Sequence, residues 1–404
     1  MVIHTKNRLV EELEIDFYKE LQNDYEEIVS WRRHLHQHPE LSFEESETPK
    51  FIAEKLRSFG IDVREQVGGN GVIGIIEGVK PGKTIAFRAD FDALPIQDEK
   101  SVSYKSTIDG VMHACGHDGH TSSLLGVAKV LSSHRKLLNG NIIFIFQHAE
   151  EKPPGGAKLM IEDGALENVD VIFGGHLTTD IPIGKIATRQ GPMMASVDKF
   201  KVTLQGKGGH GARPHETIDA ITIGSELVSH LQQIVSRRIN PVEPAVVTIG
   251  SFHAGNAFNI IANTAELEGT VRTMNSKVRK QIEAEIRAIL EGIKKADHVD
   301  YTLDYENGYP VLINHKEEAT LIEKIVKENI SPDSFLEKQI VLGAEDYAYY
   351  LEHKPGAYFN VGARNDQPET QFPPHHPRFD FDEKALLGLG NVFLELAAHY
   401  LTSK

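Results

Sequence analysis

Cysteine is almost absent: Cys115 is the single one in 404 residues. No intrachain disulfide can form, and a lone thiol fits a reducing compartment. Long apolar runs are missing as well. Nothing reaches the roughly 18 apolar residues of a membrane-spanning helix, and the opening MVIHTKNRLVEELEID carries no apolar signal-peptide stretch. These absences lead to the expectation of a cytoplasmic protein. Positive charge is in deficit, with 43 Lys and Arg against 58 Asp and Glu and a formal net charge of -15. An acidic surface repels nucleic acid and anionic membranes, so neither is expected as a partner. No G-x-x-x-x-G-K-[ST] phosphate loop occurs, nor any internal repeat or low-complexity tract.

What is present is an ordinary globular composition, 40% hydrophobic and 25% charged, in a chain long enough for two or three domains. Residues 15–38 repeat apolar side chains at helical spacing (Phe17, Leu21, Tyr25, Ile28, Trp31) until Pro39 stops them. A second helix is expected over 48–59. Apolar strands at 71–76, 84–89, 141–146 and 169–173 are separated by helix-like stretches at 121–134 and 157–163. That alternation predicts an α/β domain, a mainly parallel sheet with helices on both faces. Residues 199–305 change to strand-helix-strand-strand-helix-strand, the order of a ferredoxin-like α+β unit. We therefore expect a catalytic domain in two parts, 1–196 and 310–404, with an inserted satellite domain at 197–309.

The densest chemistry is Met112-His113-Ala114-Cys115-Gly116-His117-Asp118-Gly119-His120. Cys115 and His117 stand two apart in a glycine-bearing loop, where thiolate and imidazole suit zinc and similar ions. Any one of these residues alone would be an ordinary buried thiol or solvated imidazole; as a cluster they favour a metal. Gln147-His148-Ala149-Glu150-Glu151 follows an apolar strand, where α/β sheets build their sites. One carboxylate of the pair can bind metal while the other serves as a base. Adjacent acids stand too close for a glycosidase pair, which needs about 5 Å or more. Gly174-Gly175-His176 and Pro373-Pro374-His375-His376-Pro377 add imidazoles. In the inserted segment, Gly206–His215 is a glycine-rich turn around His210. Asn259 and Arg272 are expected to flank a turn between two strands, and an arginine fork suits a substrate carboxylate.

These motifs, in this order, resemble the M20 metallopeptidase superfamily, with amidohydrolases similar to hippurate hydrolase, plant auxin-conjugate hydrolases and N-acetyl-diaminopimelate deacetylase as the nearest subgroup. The likeness runs from Trp31-Arg32-Arg33-His34-Leu35-His36-Gln37-His38-Pro39-Glu40-Leu41-Ser42, through Phe87-Arg88-Ala89-Asp90-Phe91-Asp92-Ala93-Leu94-Pro95 and the MHACGHDGH string, to Gly343-Ala344-Glu345-Asp346 and His375-His376-Pro377. It thus spans nearly the whole chain. It implies hydrolysis of an N-acyl amino acid or related small amide. It implies two divalent ions, manganese ahead of zinc, on Cys115, His117, Glu151, His176 and His375. Glu150 would be general base and acid. It further implies a homodimer in which His210 enters the partner's site, and a substrate carboxylate held by Asn259 and Arg272. An aminoacyl carboxypeptidase or dipeptidase on the same site is the neighbouring alternative.

Two departures stand out. The usual P-A-E-E-G-x-G-G-A reads His148-Ala149-Glu150-Glu151-Lys152-Pro153-Pro154-Gly155-Gly156-Ala157, which keeps both acids and alters the loop beside them. Arg88 stands where many sister enzymes have a ligating histidine, leaving Asp90 to a supporting role around the metals. Two readings from other classes compete: a cysteine hydrolase with Cys115 as nucleophile and His117 or His120 as base, and a binding protein that has lost the activity.

Overall fold

The computed structural model describes residues 16–401, so Ile15, where the first helix is expected to begin, lies outside them. Two compact units emerge. One takes 16–191, Ile313–Gln339 and 346–401; the other takes Pro192–Leu312 and Ile340–Glu345.

The first unit is built on an eight-stranded sheet. In chain order its strands are β1 (Asp62–Val67), β2 (Gly71–Glu77), β3 (Lys80–Asp90), β4 (Asn139–Gln147), β5 (Val171–Pro182), β6 (Ile186–Thr188), β13 (Phe335–Glu337) and β14 (Gly356–Arg364). Their spatial order is β1-β2-β4-β3-β5-β14-β6-β13. The centre is parallel, β4 with β3, β3 with β5 and β5 with β14, while β1, β2 and β6 join antiparallel. Central strands are apolar throughout because both faces are covered. Adjacent glycines in β5 show this: a Cβ on Gly174 would meet Tyr347, whereas one on Gly175 would meet Leu389. Successive side chains point to opposite faces, so Tyr347 and Leu389 mark the two covering layers.

The expected helix over 15–38 is broken at Asp24 into α1 (Phe17–Asn23) and α2 (Tyr25–Gln37), with Asp16 capping the first through Lys19 N. Then follow α3 (Thr48–Ser58) and α4 (His117–Ser133). α4 is buried along nearly its whole length, which its small residues permit. A Cβ on Gly126 would lie 2.6 Å from Ile28, and one on Gly119 would lie 2.7 Å from Leu177 and Phe381. Gly116 starts α4 at φ 96°, a left-handed position that suits glycine. Three further helices of this unit are α5 (Gly156–Glu162), α8 (Lys316–Ile325) and α9 (Ala348–His353), and it closes with α10 (Ala385–Leu401), which packs on α4.

The second unit is an antiparallel sheet of β7 (Ser196–Gln205), β9 (Ala245–Ala254), β11 (Thr264–Thr273) and β12 (Asp300–Asn307), in the order β9-β11-β7-β12. Two helices, α6 (Ala220–Gln233) and α7 (Ser276–Asp297), cover it. With its two helices this is the ferredoxin-like order. Val278, Ile282, Ile286, Leu290 and Ile293 form the buried stripe of α7 against Phe200, Val202 and Leu204. Residues 340–345 return to this unit, where Ala195 N donates to Gly343 O at 2.9 Å. A two-stranded ribbon, β8 (Gly209–His210) with β10 (Ile260–Ile261), stands beside the sheet.

Glu395 of α10 gives a stability prediction. It is 2% exposed, and burial, eased by the hydrogen bond from Asn329 Nδ2, pushes its carboxyl up to about 7. An acid whose folded pKa is raised keeps a proton that the unfolded chain releases. Its stabilising contribution is complete below the ordinary carboxylate pKa and is lost as pH rises toward 7. Glu395→Gln should therefore gain on the order of 1–3 kcal/mol over wild type at pH 8, with the gain shrinking toward zero near pH 4.5. Melting temperatures across that range measure it; a pH-independent difference contradicts the assignment.

Candidate metal centre

Three parallel strands end side by side, and the crevice beyond their carboxyl ends is where such sheets hold ligands. β3 delivers Asp90 and, two residues on, Asp92. β4 ends at Gln147, just before the acid pair. His176 lies within β5, not after it as expected, because that strand runs on to Pro182. The loop before α4 brings Cys115 and His117.

The side chains converge. Cys115 Sγ is 3.4 Å from His176 Nε2, and His375 Nε2 is 3.2 Å from Glu151 Oε1. His117 Nε2 lies 3.9 Å from Glu151 Oε1, 4.0 Å from Glu150 Oε2 and 3.7 Å from Asp90 Oδ2. His375 has φ 66°, and its N–H donates to Ala114 O at 2.7 Å, which ties the C-terminal loop to the cysteine loop.

Both central imidazoles have their tautomer set from behind. His176 Nδ1 faces Leu177 O at 2.6 Å, and His117 Nδ1 faces Asp92 O and Oδ1 at 3.0 and 3.1 Å. An acceptor at Nδ1 keeps a proton there, so Nε2 is the nitrogen that faces the crevice and on which a metal would take the place of a proton. His117 Nε2 is buried without a hydrogen-bond partner, and Glu151 Oε1, buried near it, meets only His375 Nε2. Buried polar atoms left this way call for an explanation.

The electrostatics give one. Burial works against charge on His117, yet Asp90 and Asp92 outweigh it and push the imidazole up to about 10. Burial pushes the Cys115 thiol well above its usual range, and Glu151, Glu150 and Asp90 push the same way. Negative charge is thus in excess where S, N and O donors meet. The residues fit a divalent cation, and Cys115, His117, Glu151, His176 and His375 could hold it. The same field speaks against a nucleophilic cysteine, which needs a lowered pKa. His120, the other base considered, is already spent: Nδ1 is 2.6 Å from Asp90, and Nε2 accepts from Leu177 N at 2.9 Å.

Asp90 is held well below the usual carboxylate range, despite burial, by Arg88 and then by His117 and His120. Arg88 also reaches Gln147 and Asp346, both at 2.8 Å. Arg88 thus places a guanidinium behind the crevice.

In the second unit, His210 and Asn259 lie together on the ribbon: His210 registers with Ile260, and Gly211 N donates to Asn259 O at 2.9 Å. Arg272 does not flank their turn. It sits eight residues into β11, opposite Val246 and Val197, roughly 25 Å along the strand from Thr264. Within one chain, then, Asn259 lies beside His210 on the ribbon, while Arg272 lies near the far end of β11.

Residues 86–399 match the sequence profile of peptidase family M20/M25/M40. The chain belongs to that family. It is 43% identical to thermostable carboxypeptidase 2 of Saccharolobus solfataricus, over 92% of this chain and 96% of that protein. It is 45% identical to an N-acyl-L-amino acid amidohydrolase of Geobacillus stearothermophilus, over 77% of this chain and 81% of that protein. Its fold matches the crystal structure of YXEP from Bacillus subtilis, described as a dinuclear metal-binding peptidase, with TM-score 0.81, 35% identity, and 94% and 98% of the two chains covered. Among the described residues no helix is long and apolar enough to cross a membrane.

Sequence reasoning overlooked Asp92. Its Oδ2 accepts from Glu151 N at 3.0 Å and from Ser42 Oγ at 2.7 Å, while Oδ1 meets His117. The signal was its two-residue spacing from Asp90, which places both on one side of an extended chain. Asp92→Ala should weaken divalent-metal binding by about 10–100-fold, since it frees one imidazole and one glutamate at once. Chelator competition measures this; wild-type affinity would remove Asp92 from the role.

Proposed function

We propose that this M20 family member hydrolyses the amide bond of N-acyl amino acids, using two divalent ions held by Cys115, His117, Glu151, His176 and His375. The observation that carries the reading is the convergence of Cys115, the imidazoles of His117, His176 and His375, and Glu151 beside Glu150. The names of the Geobacillus and Saccharolobus relatives support the reaction class. A C-terminal peptide bond is itself an N-acyl amino acid whose acyl group is a peptide, so amidohydrolase and carboxypeptidase describe one chemistry with different acyl pockets. Divalent ions supply Lewis acidity, lowering the pKa of a water from 15.7 to about 7 and polarising the amide carbonyl. Manganese is favoured, with zinc the alternative, and the free thiol of Cys115 is consistent with the cytoplasm.

The chain's own residues do the rest. Glu150, 7% exposed, takes the proton of the attacking water on its carboxylate and returns it to the departing amine. Glu151 stays with the metal. His210 serves as an oxyanion donor in a second subunit of a homodimer. Its Nδ1 accepts from Ala212 N at 3.1 Å, so the proton sits on Nε2, ready to donate. Two features favour a dimer through the second unit: β9 is an unpaired sheet edge, and Phe252, Phe258, Ile260 and Ile221 beside it are exposed. Asn259, on the same ribbon, and Arg272, from β11, would bind the substrate's carboxylate.

The reading is tested by amine release from a panel of N-acyl amino acids and short peptides after chelator stripping and reloading with manganese or zinc. Metal-dependent turnover is expected; activity that survives chelation overturns it. Glu150→Ala should keep the metals and lose turnover, whereas Glu151→Ala should lose metal. Swapped behaviour would reverse the assignment. His210→Ala should lower kcat by about 10²–10³ with little change in KM. A kcat near wild type would dismiss the donor in trans.

A further inference from the structure

The acid pair stands on a turn that a buried carboxylate outside the donor set holds in place. Ala149, directly before Glu150, has φ 51°, a left-handed value that a residue with a side chain keeps only where its surroundings impose it. Its N–H donates to Glu45 Oε1 at 2.9 Å, and Asn70 Nδ2 donates to Glu45 Oε2 at 3.0 Å. Glu45 is 2% exposed, and no described Lys, Arg or His forms an ion pair with it. Burial pushes its carboxyl up to about 7, so keeping it there costs stability. Its two hydrogen bonds favour the fold while its buried charge opposes it, and what they hold in place is the turn before Glu150.

Glu45 belongs to the stretch after Ser42, to which the family resemblance assigns no role. That stretch is itself fixed. Leu41 bridges Ala93, Ser42 Oγ reaches Asp92, and the Phe43 ring meets the edge of His148. Glu151 has a separate anchor, its N–H on Asp92. Glu150 is therefore suspended between two hydrogen-bonded backbone groups, one set by Glu45 and the other by Asp92.

We propose that Glu45 is a positioning residue that, through the Ala149 N–H, fixes the turn aiming Glu150 at the scissile amide. The proposal rests on Glu150 being the general base. It is tested in the full metal-loaded chain with Glu45→Gln and Glu45→Met. Gln keeps an oxygen for Ala149 N; Met matches the volume and offers no acceptor.

Amide hydrogen exchange over 147–152 should be at least tenfold faster in the Met variant and near wild type in the Gln variant. The Met variant's kcat should fall about 10–100-fold, with KM and bound metal unchanged, while its melting temperature at pH 8 equals or exceeds wild type. A purely structural role gives the opposite pattern, a lower melting temperature with kcat intact. Wild-type exchange in the Met variant, or a kcat within twofold of wild type, overturns the proposal. Should wild type cleave no amide at all, the general-base assignment falls, and the exchange rates alone still decide whether Glu45 holds the turn.

Discussion

The structure turns on the negative charge gathered around His117. Asp90, Asp92, Glu150 and Glu151 all approach one imidazole at the ends of three parallel strands. Such a concentration in a dry place is unfavourable unless positive charge answers it. The chain supplies part of that answer and withholds the rest. Arg88 takes Asp90 and Asp346, and His120 takes the other oxygen of Asp90. Facing the crevice, His117 Nε2 has no hydrogen-bond partner, and Glu151 Oε1 has only the imidazole of His375 at 3.2 Å. The internal cations thus neutralise the back of the site, and on the reading proposed above its front is left for the divalent ions.

A second buried cation extends the same logic to the chain's distant parts. Arg32 is fully buried on α2, with Nε on Asp118 at 2.9 Å, Nη2 on Asp380 at 2.8 Å and Nη1 on Glu383 at 3.2 Å. Asp118 follows His117 directly, and Asp380 lies five residues after His375. His36, one turn along α2, shares Asp118 at 2.8 Å. The segments bearing two donors are therefore joined through one planar group whose geometry suits several carboxylates at once. Removing one partner of such a buried set leaves a charge unpaired, which is far costlier than the set is stabilising. The arrangement fixes geometry more than it adds stability.

Much of this was legible in the sequence, and the reasons differ by element. The α7 stripe and the alternation in β7 announced themselves because each buries one face. The central strands read as apolar runs because both faces are covered. The site clusters were visible since Cys115, His117, Glu150 and Glu151 are close in sequence as well as in space. What failed depended on contacts that sequence spacing does not carry. The break at Asp24 lies inside an unbroken apolar rhythm. The length of β5 past His176 depends on pairing with β14. The roles of Asp92 and Glu45 reside in hydrogen bonds to backbone N–H groups more than fifty residues away, and such groups have no residue-type signature.

The place of Asn259 beside His210 has a consequence for how substrate would be recognised. His210 and Asn259 share a ribbon of two residues per strand, which has few hydrogen bonds of its own and stands apart from the four-stranded sheet. Arg272 lies on an interior strand of that sheet, between β9 and β7, with its guanidinium on Val271 O at 3.1 Å and also against Thr270 Oγ1. On the reading proposed above, the arginine is carried by an interior strand, whereas the histidine and asparagine are carried together by the ribbon. On the same reading, Asn259 engaged on a substrate carboxylate would position the ribbon that also carries His210. Remote binding would be spent on orientation at the reacting centre. Substrates lacking the carboxylate should accordingly lose turnover along with affinity, because the group that recognises the amino-acid end and the group that stabilises the transition state are held by the same hydrogen bonds.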